Sequence, residues 1–350
     1  MKRTIHFVSG LPRSGSTLLC NLLAQNPRFH ATSTSGILDV MLLVRRHWRM
    51  IPELHTPSMQ EVKIRVVRQI LDHYHDEPDN KKPVIFDKSR GWLGHLDMAE
   101  AVLGRKVKVL VCVRDVRDCV ASFERLWRRH TSTRQYSQEA GNFLKWQTLE
   151  GRCAVWMGPN QVVGSAYNNV RESLRKGYKD RMHFVEFEKL SANPKETMQQ
   201  VYEFLDEKYF NHDFDHVEQV THEDDEQHGI PELHIIRPKI EPVESHWKKV
   251  LGSVGDRFAA LNDLWLKLDG NLPVAGAPPS DPALVVLPEP PIRRRRPQPA
   301  GARTQTSTSA QPRGPQVRGP QGRGLQARGG QPRGPQTAGP GGQQPTPSRS

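Results

Sequence analysis

Cysteine is scarce in this chain. Cys20, Cys112, Cys119 and Cys153 are the only four in 350 residues, and no two stand in a C-x-x-C spacing. Neither a disulfide framework nor a zinc site is indicated; Cys20 in a helical pattern and Cys112 in a strand-like run are expected as small core residues. Long hydrophobic runs are missing too. None approaches the ~18 residues a membrane span needs, and Met1-Lys2-Arg3 runs straight into the first strand-like stretch. The expectation is a soluble, cytoplasmic protein with no signal peptide and no membrane association. From Gly276 onward there is no aromatic residue and no Lys, and Pro, Gly, Gln and Arg dominate. Such a composition cannot bury enough surface to offset the entropy of ordering. The expected organisation is one folded domain over residues 1–275 and a disordered tail over 276–350. Of the formal charge of +12, the tail's eleven Arg against Asp281 and Glu289 account for +9, leaving +3 for the rest. That excludes a globally basic globular domain. A second reading of the tail is binding to a polyanion through Arg293–Arg296 and the R-G-P-Q and R-G-G steps.

What the chain does have is a distinctive start, Thr4 to Asn26: T-I-H-F-V-S-G-L-P-R-S-G-S-T-L-L-C-N-L-L-A-Q-N. A short apolar run enters a turn rich in Gly and Ser, and Leu18, Leu19, Leu22 and Leu23 then recur on one helix face. Strand, tight loop and helix make a phosphate cradle, because backbone N–H groups and the positive end of the helix dipole converge on an anion. Gly10, Gly15 and Thr17 match the nucleotide-binding Gly-x-x-x-x-Gly-Lys-Ser/Thr spacing, but Ser16 stands where the phosphate-gripping Lys belongs. The loop carries its cation at Arg13 instead.

Along the rest of the chain, helical patterns cover Ile37–Met50 and Met59–His75, the latter with Val62, Val66, Ile70 and Tyr74 as its expected core stripe. A short strand, Val84–Phe86, leads into Asp87-Lys88-Ser89-Arg90, and a helix follows at about Leu93–Leu103. Val107 to Val113 is nearly continuous in apolar β-branched residues, as a central parallel strand should be. Arg114 closes it, and Asp115 is the expected N-cap of a helix carrying Val116, Val120 and Phe123. Tyr136 to Lys176 predicts two helices broken near Gly158-Pro159. Met182–Phe187 predicts a strand, and Pro194 opens a helix with Met198, Val201, Phe204 and Leu205 facing inward. Asn211 to Gly229 is crowded with His and acids, among them His212, Asp213, Asp215, His216, His222, Asp224 and Asp225. Their spacing matches no ligand template, so a solvated loop is expected. Ser245 to Leu268 closes the domain as a helical region. Strands alternating with helices predict an α/β domain with a mostly parallel sheet. Its ligands belong beyond the carboxyl ends of the strands, where Gly10–Thr17, Asp87–Arg90 and Arg114–Ser122 all fall.

Arg114 and Ser122 are eight residues apart across a strand-to-helix turn, so they can form a second anion site beside the first loop. Together the two suggest a ligand with two separate anionic groups. Magnesium chemistry would spread charge over the metal, a loop Lys and an Asp. The loop Lys is missing, and Asp87, the nearest metal-holding Asp, has Lys88 beside it. A sulfuryl group carries less charge than a phosphoryl group, so Arg, Lys and backbone donors can suffice for its transfer, and no metal is expected.

These motifs resemble those of sulfotransferases that use 3′-phosphoadenosine 5′-phosphosulfate. Gly10-Leu-Pro-Arg-Ser-Gly-Ser-Thr17 is similar to the 5′-phosphosulfate loop of the bacterial and tyrosylprotein branches. Val113-Arg114-Asp115 through Ser122 resembles the 3′-phosphate motif, and Val185-Glu-Phe-Glu-Lys-Leu190 with Asn193-Pro194 the segment that meets the adenine. The resemblance covers about residues 4–268. It implies a three-layer α/β fold like that of P-loop-containing nucleoside triphosphate hydrolases. It also implies that Pro12, Arg13, Ser14, Gly15, Ser16 and Thr17 hold the 5′-phosphosulfate and that Arg114 and Ser122 hold the 3′-phosphate. Lys88 would lie near the transferring sulfuryl group, Phe187 would stand where the family usually has Tyr, and Arg237 would fall where the tyrosylprotein branch has a Lys reaching the cofactor. The product would be 3′,5′-bisphosphoadenosine. Expected partners are a small-molecule, glycan or peptide acceptor, with a homodimer left open.

One departure concerns the general base. The tyrosylprotein branch places a catalytic Glu soon after the first helix, where this chain has Thr32-Ser-Thr-Ser35 and no carboxylate. Asp39 and Asp87 are the nearest candidates. Two other classes stay open: a nucleotide kinase or other NTPase, which Ser16 argues against, and a non-catalytic homologue with an Arg-rich interaction tail.

Overall fold

A computed structural model describes residues 3–76, 81–129, 143–225 and 233–266. The expected tail, and the domain boundary placed after residue 275, lie outside the described residues. So does much of the stretch before Phe143 in which a helix was expected.

Five strands, β1 (Thr4–Gly10), β2 (Phe29–Thr34), β3 (Val84–Lys88), β4 (Val109–Val113) and β5 (Met182–Glu186), form one sheet in the order β2-β3-β1-β4-β5. Every neighbouring pair is parallel. Four of the strands fall where apolar runs predict them. β2 does not: F-H-A-T-S-T is polar at its carboxyl end, and it enters the sheet by pairing with β3 at the edge.

Alternation along the strands sorts the side chains into two apolar layers. Val8, Phe86, Leu110 and Cys112 point to one face. There they pack with Leu19, Leu22 and Leu23 of α1 (Ser16–Ala24) and with Met198, Val201, Tyr202 and Leu205 of the helix Pro194–Leu205. Ile5, Phe7, Ile85, Val109, Val111 and Val113 point to the other. That layer is covered by α2 (Ile37–Trp48), α3 (Pro57–Tyr74), α4 (Leu96–Leu103), α5 (Val116–Arg129) and the helix Val162–Arg175. The result is the expected three-layer α/β arrangement. The expected stripe on α3 is displaced. Val67 and Leu71 are the buried residues, whereas Val66 and Tyr74 are exposed. One residue turns a helix by about 100°, and which face is covered depends on where α2 and α4 sit.

The stretch after Leu205 also departs from expectation. His212, Val217 and Thr221 are buried. An outgoing limb pairs with a returning one through Val217 N to Pro238 O (2.6 Å) and Ile240 N to Phe214 O (3.0 Å). Polar side chains of α1 and of its C-cap Gln25 anchor it. Asn21 Oδ1 accepts from the N–H groups of Val220 (2.6 Å) and Thr221 (3.0 Å), its Nδ2 donates to Thr221 Oγ1 (2.9 Å), and Gln25 bonds Asp213 N–H and C=O. A polar composition suggested a solvated loop; a polar ladder on a buried helix gives those groups partners instead. Among the described residues no helix is long and apolar enough to cross a membrane.

Candidate active site

The loop after β1 leaves the sheet at Gly10, whose φ of +123° and close approach to β4 only glycine tolerates; a Cβ there would lie 2.0 Å from Cys112 O. Leu11 N–H donates to that same carbonyl (2.8 Å), and the Ser14 hydroxyl sits between Leu11 O (2.5 Å) and Cys112 O (3.0 Å). Ser14 thus ties the loop to β4. Pro12 is buried beside it. Arg13 takes a left-handed φ of 61°, and Gly15, at φ 82°, is the N-cap that turns the chain into α1. Ser16 and Thr17 begin that helix, so their N–H groups lie at its positive end.

The second motif arrives at the same loop. Arg13 Nε donates to Ser122 Oγ on α5 (3.1 Å), and Arg114 Nη1 donates to Arg13 O (3.3 Å). The Arg114 guanidinium lies over the Phe187 ring, 4.7 Å from its centroid. That ring in turn leans on Gly15, where a Cβ would come within 2.5 Å of it. Arg13, Gly15, Arg114, Ser122 and Phe187 form one cluster. Burial and the neighbouring Arg114 charge push the Arg13 guanidinium below its ordinary value. Two adjacent cations favour an anion between or beside them. Arg114 Nε is buried with no hydrogen-bond partner among the described residues. It is a donor with capacity for an anionic ligand, so these residues fit a ligand carrying a phosphate here.

Lys88 closes the other side. It ends β3 on the face that carries α1, and its ammonium donates to Thr17 Oγ1 (3.2 Å) and to the Glu223 carboxylate. Glu223 was not among the side chains singled out in the sequence. Its side chain is 2 % exposed. It stands on the anchored excursion, and Oε1 also accepts from Thr34 N and Thr34 Oγ1, both at 2.9 Å. The end of β2, which has no carboxylate of its own, receives one from 189 residues downstream. Oε2 lies against His234 Nδ1, which is 2.5 Å from Asp225 Oδ1. Burial pushes the Glu223 carboxyl up, but the His234 hydrogen bond and the Lys88 charge outweigh it and hold the pKa at about 2. The ligand atoms of Glu223, Asp225 and His234 lie within 4.8 Å of one another, a set able to hold a metal ion.

The remaining candidates lie elsewhere. Asp87 points to the opposite face of β3 from Lys88. Its buried carboxylate accepts from Trp92 Nε1 (2.6 Å) and lies 3.2 Å from His75 Nε2, so it serves the core under the sheet. Asp39 is exposed in the first turn of α2, and Arg237 is exposed on the returning limb.

The model of the Sulfotransferase family matches residues 6–211. No curated protein matches the chain. Similar solved structures include a sulfotransferase domain from the curacin biosynthetic pathway (16 % identity, TM-score 0.43, covering 78 % of this chain and 99 % of that one). A sulfotransferase from Alicyclobacillus acidocaldarius has 13 % identity and a TM-score of 0.42, over 78 % of this chain and 98 % of its own. Mouse sulfotransferase SULT7A1, complexed with PAP, has 14 % identity and a TM-score of 0.41, over 78 % and 87 %. The family match spans more than half of the chain, from within β1 to the residues just after the helix Pro194–Leu205, and takes in the loop, Lys88, Arg114, Ser122 and Phe187; the protein belongs to the Sulfotransferase family.

Proposed function

We propose that the protein transfers a sulfuryl group from 3′-phosphoadenosine 5′-phosphosulfate to a hydroxyl or amine of an acceptor. The observation that carries this reading is the single cluster joining Arg13 and Gly15 of the first loop to Arg114, Ser122 and Phe187, with Lys88 on its other flank. In it, the loop N–H groups, Thr17 and Lys88 hold the 5′-phosphosulfate, Arg114 and Ser122 the 3′-phosphate, and Phe187 offers its ring to the adenine. The bound donor supplies an activated sulfuryl group with a bisphosphate leaving group. Arg13 and Lys88 stabilise the negative charge that grows there, as preorganised donors in a site of low water content do.

Two measurements test it. In a thermal-shift titration, 3′,5′-bisphosphoadenosine at ~100 times its dissociation constant should stabilise the protein by about 2.7 kcal/mol. No shift, or a larger one with ATP–Mg²⁺, overturns the reading in favour of a nucleotide kinase or a non-catalytic homologue. Arg114→Ala should weaken bisphosphate binding by about 10–100-fold, the scale of one charge-assisted contact, with the melting temperature little changed. Unaltered affinity in calorimetry removes Arg114 from the site.

A further inference from the structure

We propose that Glu223, Asp225 and His234 form a binding site for one divalent transition-metal ion, zinc by their chemistry, beside Lys88 and the anion loop. The site stands whether or not the sulfuryl-transfer reading holds, since none of its three ligands is a residue which that reading assigns to the donor.

Three ligand atoms converge on one point. Glu223 Oε2 lies against Nδ1 of His234, and Asp225 Oδ1 is 2.5 Å from the same nitrogen. A ring nitrogen carries at most one proton, so two carboxylate oxygens share one donor. The share that reaches Glu223 is poor. Its side chain is 2 % exposed, and among the described residues no well-formed hydrogen bond reaches Oε2. A buried carboxylate oxygen placed in this way is costly until a cation meets it. A divalent ion in place of the proton meets all three atoms at once.

The ligands are oriented before any ion arrives. Thr34 N, Thr34 Oγ1 and the Lys88 ammonium occupy Oε1 of Glu223, which leaves Oε2 to face His234. Asp225 N–H donates to Glu223 C=O (3.0 Å), and His234 N–H donates to Asp225 Oδ2 (3.0 Å). Hydrogen bonds of this kind fix the aim of ligating carboxylates. Thr221, two residues before Glu223, is buried and tied to Asn21 of α1, so the segment is anchored as well. The three ligand atoms lie within 4.8 Å of one another. Zinc at about 2.0–2.1 Å from each would set them roughly 3.3 Å apart, so Nδ1 and Asp225 Oδ1 need to part by less than about 1 Å.

The donor set selects the ion. One imidazole nitrogen with two carboxylate oxygens suits zinc, manganese less well, and magnesium poorly. Lys88 bonds Oε1, so ammonium and ion take different oxygens of Glu223. The side chains of Asp225 and His234 are 16 % and 21 % exposed, which gives an ion a way in and lets water complete its coordination. Once bound, the ion joins the outgoing limb at Glu223 and Asp225 to the returning one at His234, next to Leu233, whose C=O accepts from Arg13. Spacing does not reveal the site, because its ligands come from two limbs.

Tag-free full-length protein stripped with EDTA should bind one equivalent of Zn²⁺ in calorimetry with a Kd of about 1 µM or lower. Mg²⁺ at the same concentration should not bind. His234→Ala and Asp225→Asn, each checked by circular dichroism for a wild-type fold, should weaken Zn²⁺ binding by roughly 100-fold or more, since even the outer partners of a ligand are worth about 10–100-fold. His216→Ala removes an exposed His paired with Asp213 and should leave the affinity unchanged. Co²⁺ in place of zinc should give the wild type, and not His234→Ala, the visible absorption of a four- or five-coordinate ion. A wild type that binds no Zn²⁺ overturns the site and leaves the triad a proton-bridged ion pair. Equal Zn²⁺ affinity in wild type, His234→Ala and Asp225→Asn also overturns it, by placing the ion on other histidines. So does Mg²⁺ binding as tight as that of Zn²⁺, which would remove the imidazole from the ligand set.

Discussion

Lys88→Met should reduce sulfuryl transfer by about 10²–10³-fold, the usual effect of removing one preorganised donor from a developing negative charge. It should also destabilise the fold. Lys88 is 5 % exposed and its partner Glu223 has a side chain 2 % exposed. Removing one member of a buried ion pair leaves the other uncompensated, at a cost of about 3–5 kcal/mol. Thr34 and His234 remain as partners of Glu223, which places the expectation at the lower end of that range. The pH dependence has a definite sign. The Glu223 carboxyl is held at about 2, below its ordinary 4.5. A depressed carboxyl pKa contributes stability that is complete above the unfolded value and lost as pH falls towards the folded one. For the wild type the loss runs between about pH 4.5 and pH 2 and amounts to roughly 3 kcal/mol. In Lys88→Met the Glu223 pKa moves back up, so less stability is available and acid unfolding starts from a lower plateau. Urea denaturation at pH 7 and at pH 3 measures both. A gap between wild type and variant that is as large at pH 3 as at pH 7 would show that the pair does not set this dependence.

Gly10→Ala should be worse still. The added methyl would meet backbone on every side, at 2.0 Å from Cys112 O and 2.6 Å from Cys112 N, and φ of +123° is strained for any side chain. Neither atom can move without parting β1 from β4, the pair at the centre of the sheet. A loss above about 4 kcal/mol is expected, enough to prevent soluble expression of an ordinary domain. Gly36→Ala is the control. A Cβ there meets nothing within 4 Å and φ is −89°, so its stability should stay within about 1 kcal/mol of wild type. Soluble, cooperative folding of Gly10→Ala at wild-type stability would mean that the loop does not leave the sheet as described.

Much of this protein is encoded locally. The strand, loop and helix of the cradle are consecutive in the chain, and each is specified by its own pattern: apolar β1, two glycines at left-handed positions, and leucines on one face of α1. β4 is legible for the same reason, since a strand buried on both faces needs an unbroken apolar run. Ser16 in place of the loop Lys, and Arg114 eight residues before Ser122, are likewise facts of spacing. They indicated two anion sites at one edge of a parallel sheet, which is where the motifs lie.

Only the tertiary structure decided which groups meet. Ser122 bonds Arg13 because α5 runs back past the end of β4, and no spacing shows that direction. Lys88 and Asp87 are neighbours in sequence but face opposite layers, because side chains alternate across a strand. β2 is a strand because β3 offers it an open edge, not because its residues demand one. Glu223 lies in a polar stretch whose composition suggests solvent exposure. Asn21 and Gln25 draw that stretch onto α1 and deliver a carboxylate to Thr34 and Lys88. Patterns within a few residues specify elements, since backbone hydrogen bonding and burial act at that range. The partners of a charged side chain are chosen by packing between segments far apart in the chain, and that choice appears only once the layers are assembled.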